Sequence, residues 1–119
     1  MKKYIIIFLL LFFTMPILAQ STGPTFFYVV TSVDANGFES AFSNQVTATF
    51  NQGQKTASLN WIAPIVPAGG TAISGYNIYR SKTSGGPYTK LNTTLVSTVT
   101  FSDGFALPPV PSGLTVTVN

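Results

Sequence analysis

Tyr76-Asn77-Ile78-Tyr79-Arg80 is the stretch that decides how this chain reads. It alternates, it is rich in aromatic and β-branched residues, and it follows the turn-like pair Ser74-Gly75. That pattern predicts a strand with Tyr76 and Ile78 on one face and Asn77 and Tyr79 on the other. Upstream, Ala57, Leu59 and Trp61 alternate with Ser58 and Asn60, which predicts a second strand that turns a Trp inward. The two apolar faces are expected to meet in one core.

Outward from this pair the chain is a series of short apolar runs between turn signals. Residues 25–33, Thr-Phe-Phe-Tyr-Val-Val-Thr-Ser-Val, are apolar on both faces and suit a central strand. Asp34-Ala35-Asn36-Gly37 carries the Asn-Gly hairpin signal, and residues 45–50 form the next strand. Residues 55–62 hold Trp61, and residues 64–71 are a Pro- and Gly-containing loop. Short strands are expected at 88–92 and 96–102, then a Pro-rich connector at 104–112. Leu114, Val116 and Val118 alternate with Thr115 and Thr117 in a last strand. About seven strands with no helical periodicity make an all-β sandwich the expected class.

Composition agrees and removes several function classes. The 119 residues suffice for one domain, and only 8% are charged, against a usual quarter or so. The net charge of +3 includes Lys2 and Lys3 of the N-terminal segment. Beyond it, Lys55, Arg80, Lys82 and Lys90 face Asp34, Glu39 and Asp103, which leaves no basic patch for nucleic acid. The absence of Cys excludes disulfides and thiolate metal sites, and the absence of His removes the commonest acid–base catalyst and metal ligand.

Residues 1–19 read as a signal peptide: Lys2-Lys3, an apolar run from Tyr4 to Phe13, the helix-breaking Pro16, and Ile17-Leu18-Ala19 ahead of the cut. The expected location is therefore secreted, periplasmic or cell-surface. Membrane contact is expected only through this segment, were it kept as an anchor. Residues 20–119 are the expected single domain.

The motifs resemble a known family. Residues 25–46, with Val-Asp-Ala-Asn-Gly-Phe-Glu-Ser at 33–40, resemble strands F and G of a bacterial secreted fibronectin type III domain. Ala57-Ser-Leu-Asn-Trp61 resembles strand B, Ile73-Ser-Gly-Tyr-Asn-Ile-Tyr-Arg80 strand C, residues 87–91 strand C′ and residues 98–103 strand E. Residues 108–116 resemble strand A, which opens the family's domain but here comes last. The order is F-G-B-C-C′-E-A in place of A-B-C-C′-E-F-G. The resemblance implies an immunoglobulin-like β-sandwich preceded by a signal helix. Either one rearranged sandwich forms, with strand A returning beside B, or the chain joins remnants of two neighbouring modules. Where the family has a strand-F Tyr tethered to the E–F corner, this chain has Phe26, so stability is expected to rest on Trp61, Tyr76, Ile78, Phe26 and Tyr28.

Little chemistry is available. Asp34, Glu39 and Asp103 are the only carboxylates. A pair could act at a glycosidic bond, but turn formation and solvation explain them as well. One loop with Asp34 and Glu39 is thin for calcium, so no cofactor or metal is expected. A candidate binding face is formed by Phe27, Val29, Thr31, Asn77, Tyr79 and Arg80, provided that strands F and C are neighbours; covering side chains would remove it. The resemblance implies a secreted, non-catalytic module for adhesion, protein binding or spacing, with protein or polysaccharide partners at the cell surface; a monomer is expected, or a strand-swapped dimer if the connector at 104–112 lacks the slack to return the last strand to its own sheet. The alternatives are an accessory module detached from an extracellular polysaccharide-degrading enzyme, or a truncated fragment without independent function.

Overall fold

The computed structural model describes residues 22–51, 53–109 and 111–119. The expected signal peptide lies outside the described residues. Among these, the chain is all-β and contains no helix. Six strands form two antiparallel sheets. β1 (Thr22–Asp34), β2 (Val46–Asn51), β4 (Ile73–Ser81) and β5 (Thr89–Lys90) make a four-stranded sheet in the order β2-β1-β4-β5. β3 (Thr56–Asn60) and β6 (Thr100–Gly104) make a two-stranded sheet.

β1 is central because its residues suit burial on both sides. Phe26 and Tyr28 enter the core, while Val29, Thr31 and Val33 are buried on the opposite face. Its long register with β4 runs from Phe27↔Ser81 through Val30↔Ile78 to Val33↔Gly75. The turn at the end of β1 follows the Asn-Gly signal: Gly37 takes φ 84°, and Asp34 Oδ1 accepts the N–H groups of Asn36 and Phe38. Residues 39–43 are not an open loop. They run back along β1, with Ser40 N–H bonded to Ser32 O and Ser43 N–H to Val30 O.

The core joins the two sheets. Phe26, Tyr28 and Phe50 come from the four-stranded sheet and Ala57 from the two-stranded one, with Leu59, Leu91 and Phe105 packed around them. Three Phe rings meet edge-on: Phe26–Phe105 at 5.4 Å, Phe50–Phe105 at 4.4 Å and Phe26–Phe50 at 6.0 Å. A polar tie crosses the same space. Tyr28 OH donates to Asp103 Oδ2 at 2.8 Å, and Arg80 bonds that oxygen at 2.7 Å with its guanidinium 4.6 Å from the Phe26 ring centre.

Three expectations differ from the structure. β6 begins four residues later than expected, because Val96 instead bridges Tyr76 across the start of β4. Trp61 lies just past β3 and is half-buried rather than enclosed; its ring meets Tyr76 at 5.2 Å. The last strand is absent. Residues 111–119 have no strand, and Leu114, Val116 and Val118 are 99%, 87% and 90% exposed. The alternation is present, but among the described residues no strand edge receives it.

Candidate functional site

The register of β1 with β4 assembles most of the expected binding face. Val29 lies opposite Tyr79, Thr31 opposite Asn77 and Phe27 opposite Ser81, all on the side away from the core. Arg80 is not among them. Strand alternation places it with Tyr76 and Ile78, and it turns inward to Asp103. The expected rim position of Arg80 is therefore corrected: its charge is spent on a buried carboxylate.

This face is not open either, because the segment after Gly37 lies across it. Glu39 bridges to Val33 and reaches over β1. Its Oε1 accepts hydrogen bonds from Thr31 Oγ1 and Tyr79 OH, each at 2.5 Å, and from Asn77 Nδ2 at 3.1 Å. Asn77 Oδ1 in turn accepts from Asn92 Nδ2, which also donates to the Tyr76 and Thr94 carbonyls. The hydrogen bond from Thr31, then those from Tyr79 and Asn77, hold the Glu39 carboxyl below its usual range. Burial and the Glu39 carboxylate push the Tyr79 phenol up.

Beside this cluster stands an aromatic group. Phe42 meets Tyr79 at 5.1 Å and Tyr88 at 5.3 Å, both edge-on. Gln45 fixes Tyr88 from the far side: its Oε1 accepts from Tyr88 OH and Gly85 N–H, and its Nε2 donates to Ser84. Val29, Thr31 and Asn77 end up buried, and what reaches solvent is Phe42, Glu39 and parts of Tyr79 and Phe27. Sequence reasoning weighed Glu39 only as a turn, acid–base or calcium carboxylate, and residues 38–43, with Phe42, only as loop. A signal existed: three donors, Thr31, Asn77 and Tyr79, on one face of two adjacent strands call for an acceptor.

The chain also has a cleft of about 540 Å³ on the core side. It opens between β2 and the outer edge of β3, and its lining includes Tyr28, Val46, Leu59 and Trp61. A second recess along the same edge is lined by residues 46–48 and 57–60. The Trp61 indole N–H is buried near this cleft and meets no acceptor among the described residues.

Each carboxylate is engaged by its own neighbours. Asp34 caps the turn, Glu39 holds the sheet face, and Asp103 pairs with Arg80 and Tyr28. Comparison with family models, with curated proteins and with solved structures finds no match.

Proposed function

We propose that this chain is a secreted, non-catalytic fibronectin type III-like module serving extracellular adhesion, protein binding or spacing. The observation that carries the reading is strand neighbourhood. By the resemblance, β1 and β2 correspond to strands F and G, β3 to B, β4 to C, β5 to C′ and β6 to E. Their observed order, β2-β1-β4-β5 with β3-β6, is then G-F-C-C′ with B-E, the partition of strands in such immunoglobulin-like sandwiches. Strands that follow one another in an altered order along the chain still find these neighbours, which supports one rearranged sandwich, short of its strand A, over two remnants. The non-catalytic reading is supported by the three carboxylates, each committed to structural hydrogen bonds. Export rests on the sequence of residues 1–19.

The test is expression of the full chain in a bacterium. The protein should appear in the periplasm or medium with a new N-terminus near Gln20, by intact mass. Its two-dimensional NMR spectrum should be well dispersed. It should bind cell surfaces or surface proteins without hydrolysing polysaccharide. Retention on insoluble polysaccharide would favour the accessory-module alternative, and an undispersed spectrum would favour a fragment.

A further inference from the structure

The two-stranded sheet leaves one edge open above a cleft. Lys55 and Trp61 give their backbone groups to Phe105 and Val99, so alternation turns those of Ala57 and Leu59 to β6 as well. The groups of Thr56, Ser58 and Asn60 then point to the other edge of β3, where no strand lies among the described residues. Under that edge run the cleft and its neighbouring recess, lined by Val46, Ala48, Ala57, Leu59 and Trp61 and by no charged side chain. An unpaired edge beside an apolar slot is a template for one more strand.

The same chain carries a strand of matching chemistry. Leu114, Val116 and Val118 alternate with Thr115 and Thr117, and residues 105–119 include no Lys, Arg, Asp or Glu. All three apolar side chains stand almost fully in solvent. Laid along β3, they would enter the slot beside Ala57, Leu59 and Trp61, while the two Thr would face outward with Ser58 and Asn60.

In its own molecule this strand lies off the groove. Phe105 is fixed at the start of β3, by its N–H to Lys55 O and by its ring against Phe26 and Phe50. Between it and Leu114 come Pro108, Pro109 and Pro111. The Pro-rich run from Pro108 to Pro111 favours a stiff, extended path of ~3 Å per residue, and Gly113 turns the chain at φ 72° just before Leu114. To reach its own open edge the chain has to traverse the whole ~17 Å of β3 and then reverse onto it, and residues 111–119 form no strand there and leave Leu114, Val116 and Val118 in solvent. We propose that residues 114–118 of one molecule add to the open edge of β3 in a second copy, reciprocally, giving a closed strand-exchanged dimer. This rests on the groove and the tail alone, and stands whether or not the chain is exported or belongs to the resembled family.

Sedimentation equilibrium of the purified chain over a dilution series tests it with two variants. Val116→Asp places a charge in the slot from a residue that is 87% exposed within its own molecule. It should weaken association by about 100-fold or more. Ser58→Pro removes a donor from the open edge and none from the β3–β6 ladder, and should also leave a monomer. Mixed together, the two monomers should form a one-to-one heterodimer, because the first keeps a groove and the second a tail. A monomeric wild type, or a dimer that survives Val116→Asp, would overturn the proposal. So would a dimer lost with Val116→Asp but kept with Ser58→Pro, since that pattern means tail pairs with tail. If Ser58→Pro fails to fold, by far-UV circular dichroism, Asn60→Pro takes its place beside Val116→Asp, because it blocks the same edge near its end.

Discussion

Tyr28 and Glu39 show how single polar groups hold an otherwise apolar fold. Tyr28 is completely buried, and its hydroxyl has a partner because Asp103 crosses from the other sheet. Burial first, and the hydrogen bond to Asp103 second, push its ionisation far above the ordinary 10.0. The phenol therefore stabilises the fold fully below about pH 10, and that contribution is lost as pH rises toward the folded value. Tyr28→Phe should cost about 1 kcal/mol at neutral pH and flatten the decline in urea midpoint above pH 10. Asp103→Ala should cost more, roughly 3 kcal/mol, since it strands both the hydroxyl and the Arg80 charge. Glu39 has the opposite sign. Its carboxyl is held below 4.5 by Thr31, Tyr79 and Asn77, so its stabilisation is complete above that range and lost as pH falls through the folded value. Glu39→Gln should lower the urea midpoint at pH 7 and narrow its gap to the wild type at pH 3. A gap unchanged with pH would mean that the carboxylate charge plays no part.

The strands were legible in proportion to how much their own side chains decide. β1 and β4 could be read because aromatic and β-branched residues occupy both faces of one and one face of the other. β6 was misplaced because Val96 to Ser102 alternate as well as its true residues do, and a long-range contact chooses between them. That contact is the pair of hydrogen bonds between Val96 and Tyr76, at 2.9 and 3.0 Å. It brings backbone so close to Gly75 that a Cβ there would meet Leu95 Cβ at 2.8 Å and Val96 O at 3.0 Å. Gly75→Ala should accordingly destabilise the chain by about 1–3 kcal/mol, because backbone has to move. Equilibrium unfolding in urea measures this, and a neutral effect would show that the Val96 segment is loosely held. The covering of the sheet face by Glu39 and Phe42 was hidden for a related reason: residues after a hairpin signal read as solvent loop, whereas here they run back along β1.

At the scale of the whole molecule, the alternation of Leu114, Val116 and Val118 states a need for burial without stating whose core meets it. Sequence reasoning offered the strand first to its own chain, with another molecule's sheet edge as the alternative, and on the first view removing residues 110–119 would destabilise the domain by several kcal/mol. In the structure the three side chains are almost fully exposed within their own molecule, so their removal should leave the isolated fold about as stable as before. Under strand exchange the two views separate by concentration. Anything that binds the folded state adds stability by mass action, and a dimer's unfolding midpoint therefore rises with protein concentration. The full chain should unfold at a higher temperature as it is concentrated, whereas the chain ending at Pro109 should unfold at one temperature throughout. The two curves should converge on dilution. Differential scanning calorimetry over a hundredfold concentration range reads this directly. A shortened chain that is less stable even at the lowest concentration would show that the tail folds onto its own β3, and two curves that coincide at every concentration would show that it binds no groove at all.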